Sequence, residues 1–122
     1  QHKNPQHQFF YLALGEVKLV LVDFRSNSNT FLKKIYMSLT QVHPKLIHTP
    51  PGVGTSFLTM KTENIMMYFV SKTYDPKNEL GILWNDPTLN IKWNIKNPII
   101  SRNDSVNLLV KNIKFNNFNF SK

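Results

Sequence analysis

A chain of 122 residues with 41% hydrophobic content is long enough for one domain around one core, and its lack of cysteine excludes disulfide stapling and thiolate metal sites. Its 15 Lys and Arg against 7 Asp and Glu give a net charge of +8, which suits an anionic partner, but the lysines are scattered and the charge alone names none. The longest purely apolar run, residues 65–70, falls far short of the roughly twenty needed to cross a bilayer, and no export signal is visible, so a soluble, cytoplasmic protein is expected.

In chain order, the sequence reads as short strands separated by turn formers. EVKLVLVDF (16–24) is dense in β-branched and aromatic residues with apolar side chains at both parities, the pattern of a strand covered on both faces. SNSNT (26–30) interrupts it, and FLKKIYMSL (31–39) is the next strand, followed by Pro44. LIHTPPGVG (46–54) holds two prolines and two glycines and is read as irregular. SFLTM (56–60) resumes as a strand, and ENIMMYFVSKTY (63–74) is a long one closed by DPKNE. GILW (81–84) and IKW (91–93) flank Asn85-Asp86-Pro87, a turn in which Asp bonds its own backbone and Pro presets φ, so a hairpin with tryptophan anchors is predicted. No stretch supports an amphipathic helix longer than a turn or two. The pattern predicts an all-β sandwich or barrel of jelly-roll type, with one domain over residues 1–115 and a low-complexity tail, NNFNFSK, at 116–122.

The order of four segments carries more than fold. VDFRSNSNTF, PPGVGTSF, MYFVSKTYDPKNELGILWNDPTLNIKW and PIISRND follow one another in this chain, and together they resemble the dTDP-4-dehydrorhamnose 3,5-epimerase family of deoxysugar biosynthesis. The resemblance runs over residues 6–109 and is densest over 68–93. It implies a cupin-type jelly roll, a homodimer, and a dTDP-linked 4-keto-6-deoxy sugar as substrate. It also implies that no cofactor and no metal are used, in keeping with His2, His7, His43 and His48, no two of which have the two-residue spacing of a cupin ligand pair.

The implied chemistry is epimerisation beside a ketone. Protons at C3 and C5 are α to the C4 carbonyl, so inversion needs a base on one face, an acid on the other, and a group to hold the enolate oxygen. The resemblance puts Tyr68 at the acid position and Tyr74 at a second substrate-packing tyrosine. Asp104, in SRND, matches the aspartate that orients the base. Tyr68 and Tyr74 are six residues apart, so a segment extended throughout would put both on one sheet face, with Lys72 at the same parity. Arg25 and Lys72 are further candidates for contacts to anionic or polar groups.

Three positions depart from the family pattern. The base histidine belongs to an Arg-Gly-Leu-His-x-Gln motif that, by spacing to Gly15, falls just before residue 1, so the jelly roll is expected to lack its N-terminal strands. His2 and His7 are out of register with it and read as solvated. Gln8 stands where the family carries a lysine, and Thr55 replaces a second site histidine. Two functions follow. One is an epimerase of dTDP-4-keto-6-deoxyhexoses at C3, C5 or both. The alternative is a diverged jelly-roll protein that keeps only nucleotide-sugar binding or a structural role. A nucleic-acid binder is disfavoured, because the aromatics fall in strand-like segments and no nucleic-acid motif is present. A jelly roll missing strands would expose apolar faces and unpaired edges, so a well-behaved monomer is not expected.

Overall fold

The computed structural model describes residues 5–73 and 75–115. Six strands, β1 (Gln8–Leu14), β2 (Glu16–Asp23), β3 (Lys34–Thr40), β4 (Leu46–Thr49), β5 (Val53–Thr59) and β6 (Ile65–Val70), form two three-stranded sheets. One sheet has the order β4-β1-β6 and the other β3-β2-β5, all pairs being antiparallel. The short helix α1 (Arg102–Ser105) and single 3-10 turns at Pro76–Asn78 and Val110–Asn112 complete the regular structure. The architecture is the all-β sandwich that the strand pattern predicts. Among the described residues no helix is long and apolar enough to cross a membrane.

Strand β2 organises the core because both of its faces are apolar. Val17 and Leu19 point between the sheets and pack with Leu12 of β1 and Leu39 of β3, with Leu21, Met37, Ile47 and Met66 around them. Val20, Val22 and Phe24 point the other way, where Leu80, Leu89, Val110 and Phe115 cover them. The C-terminal part of the chain is thus a lid over the outer face of the β3-β2-β5 sheet. Gly54 lets it close: a Cβ there would lie 2.3 Å from the Phe24 ring.

Four sequence expectations shift. Strand β1 is present although residues 8–14 had not been read as a strand; its period-two pattern buries Gln8, Phe10 and Leu12 and exposes Phe9. Residues 46–49 form β4, and β5 begins at Val53 instead of Ser56, so the Pro-Gly stretch is two strands joined by a tight turn in which Gly52 takes φ +84°. Strand β3 starts at Lys34 instead of Phe31, because Leu32, at φ +60°, and its N–H bond to the Asp23 carbonyl (2.7 Å) keep the preceding residues in the turn. Strand β6 ends at Val70, where the Ser71 N–H bonds the His7 carbonyl (3.0 Å) and the chain bends away.

The tryptophan hairpin is also corrected. Ile82 bridges Leu108 in parallel, and the Leu83 N–H bonds the Leu108 carbonyl at 2.9 Å, so residues 91–93 are not its partner. The cause lies in the turn. Asp86 is buried, and its carboxylate accepts the N–H groups of Thr88 (2.8 Å) and Leu89 (2.9 Å) through one oxygen and of Val110 (2.8 Å) through the other. Asn90 then turns to φ +46° and Asn94 to φ +56°, which takes the return segment out of strand geometry. The Trp93 indole still donates to the Trp84 carbonyl at 2.9 Å, so the two tryptophans are tied without a ladder.

Candidate functional site

Register decides which side chains share the space between the sheets. On β1, Gln8, Phe10 and Leu12 face inward, opposite Val70, Tyr68 and Met66 of β6 on one side. On the other side Gln8 faces Thr49 and Phe10 faces Ile47 of β4. From the second sheet, Thr55 lies opposite Leu21 of β2, in the inward-facing row. The result is a polar group at one end of an otherwise apolar interior.

Gln6 and Gln8 are both buried, and the Gln8 carboxamide donates to the Gln6 side-chain oxygen at 3.2 Å. The Thr55 hydroxyl donates to the Gln8 oxygen across the sandwich at 3.4 Å, and Gln6 in turn donates to the Lys72 carbonyl at 3.4 Å. These are long, neutral hydrogen bonds. Tyr68 sits beside them, half of its surface exposed (53%), its ring stacked on Phe10 with centroids 5.5 Å apart. Three expected site residues, Gln8, Thr55 and Tyr68, are therefore on one interior face. Tyr74 lies outside the described residues.

Asp104 stands elsewhere. It is in α1, on a cleft of about 770 Å³ that runs between edge strand β5 and the C-terminal segment and is also lined by Thr55, Phe57, Trp84 and Trp93. Its carboxylate accepts from Ser101 (2.6 Å) and Asn107 (3.5 Å), and the Ser101 hydroxyl caps the helix by accepting the Asp104 N–H. Thr55 is the residue common to the cleft and the interior group.

Arg25 serves the loop after β2. Its Nε and one terminal nitrogen each donate to Asp23 at 2.8 Å. The same carboxylate accepts the Arg25 N–H (3.0 Å) and the hydroxyls of Ser28 (2.7 Å) and Thr30 (2.5 Å). Burial pushes the Asp23 carboxyl up, but the hydrogen bonds from Arg25, Thr30 and Ser28 outweigh it and hold the group well below the usual carboxylate range. The VDFRSNSNTF stretch thus holds a charge-assisted latch over residues 23–30. Lys72 is exposed and follows the end of β6, so strand parity does not extend to it; its carbonyl accepts from Gln6.

His7 is not frayed, although its contacts are open to solvent. Its backbone bonds Ser71, and its Nδ1 lies 2.8 Å from Nε2 of His48 on β4, the two rings 12° from parallel. Phe9, next to it in the outward row of β1, stacks on His48 at 4.7 Å. This pair is on the outer side of the sheet, opposite to Tyr68. His43 lies in the turn between β3 and β4. None of the described histidines faces the interior polar group.

Sequence reasoning missed Gln6 and Thr49. The alternation Gln6, Gln8, Phe10, Leu12 carried the signal for Gln6. Nothing local marks Thr49 before its register with Gln8 is known.

The profile of the dTDP-4-dehydrorhamnose 3,5-epimerase family matches residues 1–112. Over 92 residues the chain is 34% identical to the dTDP-4-dehydrorhamnose 3,5-epimerase of Shigella flexneri, covering 75% of this chain and 51% of that protein. The corresponding enzyme of Methanothermobacter thermautotrophicus is 31% identical over 93 residues, covering 76% of this chain and 50% of the relative. Among solved structures, a 4-keto-6-deoxy sugar epimerase from the novobiocin gene cluster of Streptomyces spheroides superposes with a TM-score of 0.84 at 31% identity, covering 88% of this chain and 54% of that one. The dTDP-4-dehydrorhamnose 3,5-epimerase of Bacillus anthracis, solved with TDP and pyrophosphate bound, gives 0.81 at 28% identity, covering 90% and 69%. The chain spans about half the length of these curated relatives. On both sequence and fold, it belongs to the dTDP-4-dehydrorhamnose 3,5-epimerase family, with the cupin-type jelly roll of its neighbours.

Proposed function

We propose that this chain acts as a sugar-nucleotide epimerase on a dTDP-4-keto-6-deoxyhexose at C3, C5 or both. The observation that carries the reading is the placement of Gln8, Thr55 and Tyr68 on one interior face in a chain similar to epimerases of this kind. In the reaction, a base takes the α proton, and its C–H electron pair moves into an enolate whose oxygen was the C4 carbonyl. The Tyr68 hydroxyl then returns a proton to the opposite face, inverting the centre. Gln8 and Thr55 contact the sugar, Tyr74 packs against it, and Asp104 orients the base. Arg25 acts through its latch on Asp23, and Lys72 contacts a polar or anionic group of the substrate. A cytoplasmic homodimer, and a single domain over residues 1–115, belong to the same reading.

A second reading has its own support: His7 and His48 are paired on the outer face, and none of the described histidines stands near Tyr68. A chain so built would bind the nucleotide sugar without turning it over. Deuterium wash-in separates the two. The protein is incubated with dTDP-4-keto-6-deoxyglucose in D2O, and the C3 and C5 proton signals are followed by NMR. Epimerase function predicts loss of one or both signals above the enzyme-free rate, with inversion slowed at least a hundredfold in Tyr68→Phe, the usual worth of a positioned proton donor. Binding without exchange establishes the second reading.

A further inference from the structure

The polar group between the sheets is incompletely paired, and one member is buried with nothing to bond. Thr49, at the end of β4, is 1% exposed, and among the described residues its hydroxyl has no hydrogen-bond partner. It is the cross-strand neighbour of Gln8 and so shares the inward face. Gln8 is itself underused. A carboxamide has two donor hydrogens and two acceptor lone pairs. Here one hydrogen goes to Gln6 and one lone pair takes a long bond from Thr55. A half-satisfied buried network costs stability in the unliganded protein, so its members have capacity in hand for a ligand.

We propose that Thr49 is a positioning residue for a sugar subsite, its hydroxyl bonding the Gln8 carboxamide when that group turns toward a neutral hydroxyl or ketone oxygen of the bound sugar. The inference rests on the nucleotide-sugar reading above. Burial keeps Thr49 itself from the ligand, so its effect passes through Gln8, which lies within reach on the neighbouring strand. The array Gln6, Gln8, Thr49 and Thr55 is neutral throughout, which suits uncharged sugar oxygens and not a phosphate.

Two variants test this in the full chain. Thr49→Val keeps the shape and the β-branch and deletes the idle hydroxyl; Thr49→Ser keeps the hydroxyl and deletes a packed methyl. Melting temperature is read alongside calorimetric affinity for dTDP-4-keto-6-deoxyglucose and for dTDP alone. The expected result is a double dissociation. Thr49→Val melts about 3–6 °C higher, through relief of an unpaired buried group, yet binds the nucleotide sugar about tenfold more weakly, with dTDP affinity unchanged. Thr49→Ser melts lower and binds the sugar within about twofold of the parent. Equal sugar affinity in parent and Thr49→Val overturns the role of Thr49 while leaving the nucleotide-sugar reading intact. A lower melting temperature for Thr49→Val overturns the premise that the hydroxyl is unpaired. A parent that binds dTDP but shows no gain from the sugar abolishes the subsite, and one that binds neither ligand removes the nucleotide-sugar reading as well.

Discussion

Asp23 gathers five donors within eight residues, three from Arg25 and one each from the Ser28 and Thr30 hydroxyls. Because its carboxyl is held well below the usual carboxylate range, the latch contributes fully wherever the unfolded side chain is ionised, above a pH of about 4, and is lost as pH falls toward the folded value. Asp23→Asn is expected to cost about 3 kcal/mol at pH 7, by leaving the guanidinium and hydroxyls poorly matched. Urea melts at pH 7 and pH 3 should show the gap between variant and parent narrowing in acid. Asp86 makes a comparable case without an ion pair: Asp86→Ala orphans three N–H groups, two of them buried, and should destabilise by about 4 kcal/mol, read by the same melts. At this scale the sequence was legible where a motif fixed the position. Tyr68, Gln8 and Thr55 were found through their neighbours in the chain, and the structure puts them on one face. Thr49 and Gln6 were not found, because their meaning depends on which strand lies beside them, and cross-strand register is a long-range property.

Strands with strong β-branched runs announced themselves. β2 was read to within a residue at either end, since Val17 to Val22 offers no alternative to an extended segment buried on both faces. β1 and β4 went unread for different reasons. β1 mixes glutamine with aromatics, and its alternation is clear only once Gln6 and Gln8 are counted as inward residues. β4 is four residues long and abuts two prolines, whose restrictions fall on the turn after it and not on the strand. The missed hairpin at Trp84 and Trp93 has another cause: Asp86 looked like a local turn residue, yet its second oxygen reaches Val110, and that tertiary bond, with Asn90 and Asn94 at positive φ, overrides local pairing. Gly15 is the joint on which the two sheets depend. It takes φ +91°, and an added Cβ would lie 2.3 Å from the Asn64 side-chain oxygen and 2.5 Å from the Glu63 carbonyl. Gly15→Ala is therefore expected to lower stability by about 2–3 kcal/mol, more than the left-handed conformation alone accounts for. A loss of unfolding free energy, from denaturant melts, of less than a third of that would show the turn to be more yielding than its geometry implies.

At the scale of the whole molecule, the described residues leave one sheet poorly covered and one edge of β6 unpaired. Outward on β4-β1-β6 stand Phe9, Leu46, Met67 and Phe69, all exposed, while β6 pairs on one side alone and carries no charge from Ile65 to Val70. An uncharged apolar edge of this kind invites association. The isolated chain is expected to sediment larger than its 14.3 kDa, and the double variant Met67→Lys with Phe69→Lys, changed on the outward row alone, should shift it toward monomer. A monomer in the parent with a sharp cooperative melt would refute this. The double burial of β2 also bears on how the chain comes to be folded. Its inward face packs on Leu12 of the preceding β1 and on Leu39 of β3, while its outward face waits for residues as late as Val110 and Phe115. During synthesis the strand that is buried on both faces stays half-covered until residues 110–115 have been made. That order makes β2 the natural client of a chaperone, and it ties completion of the core to residues far from it in sequence.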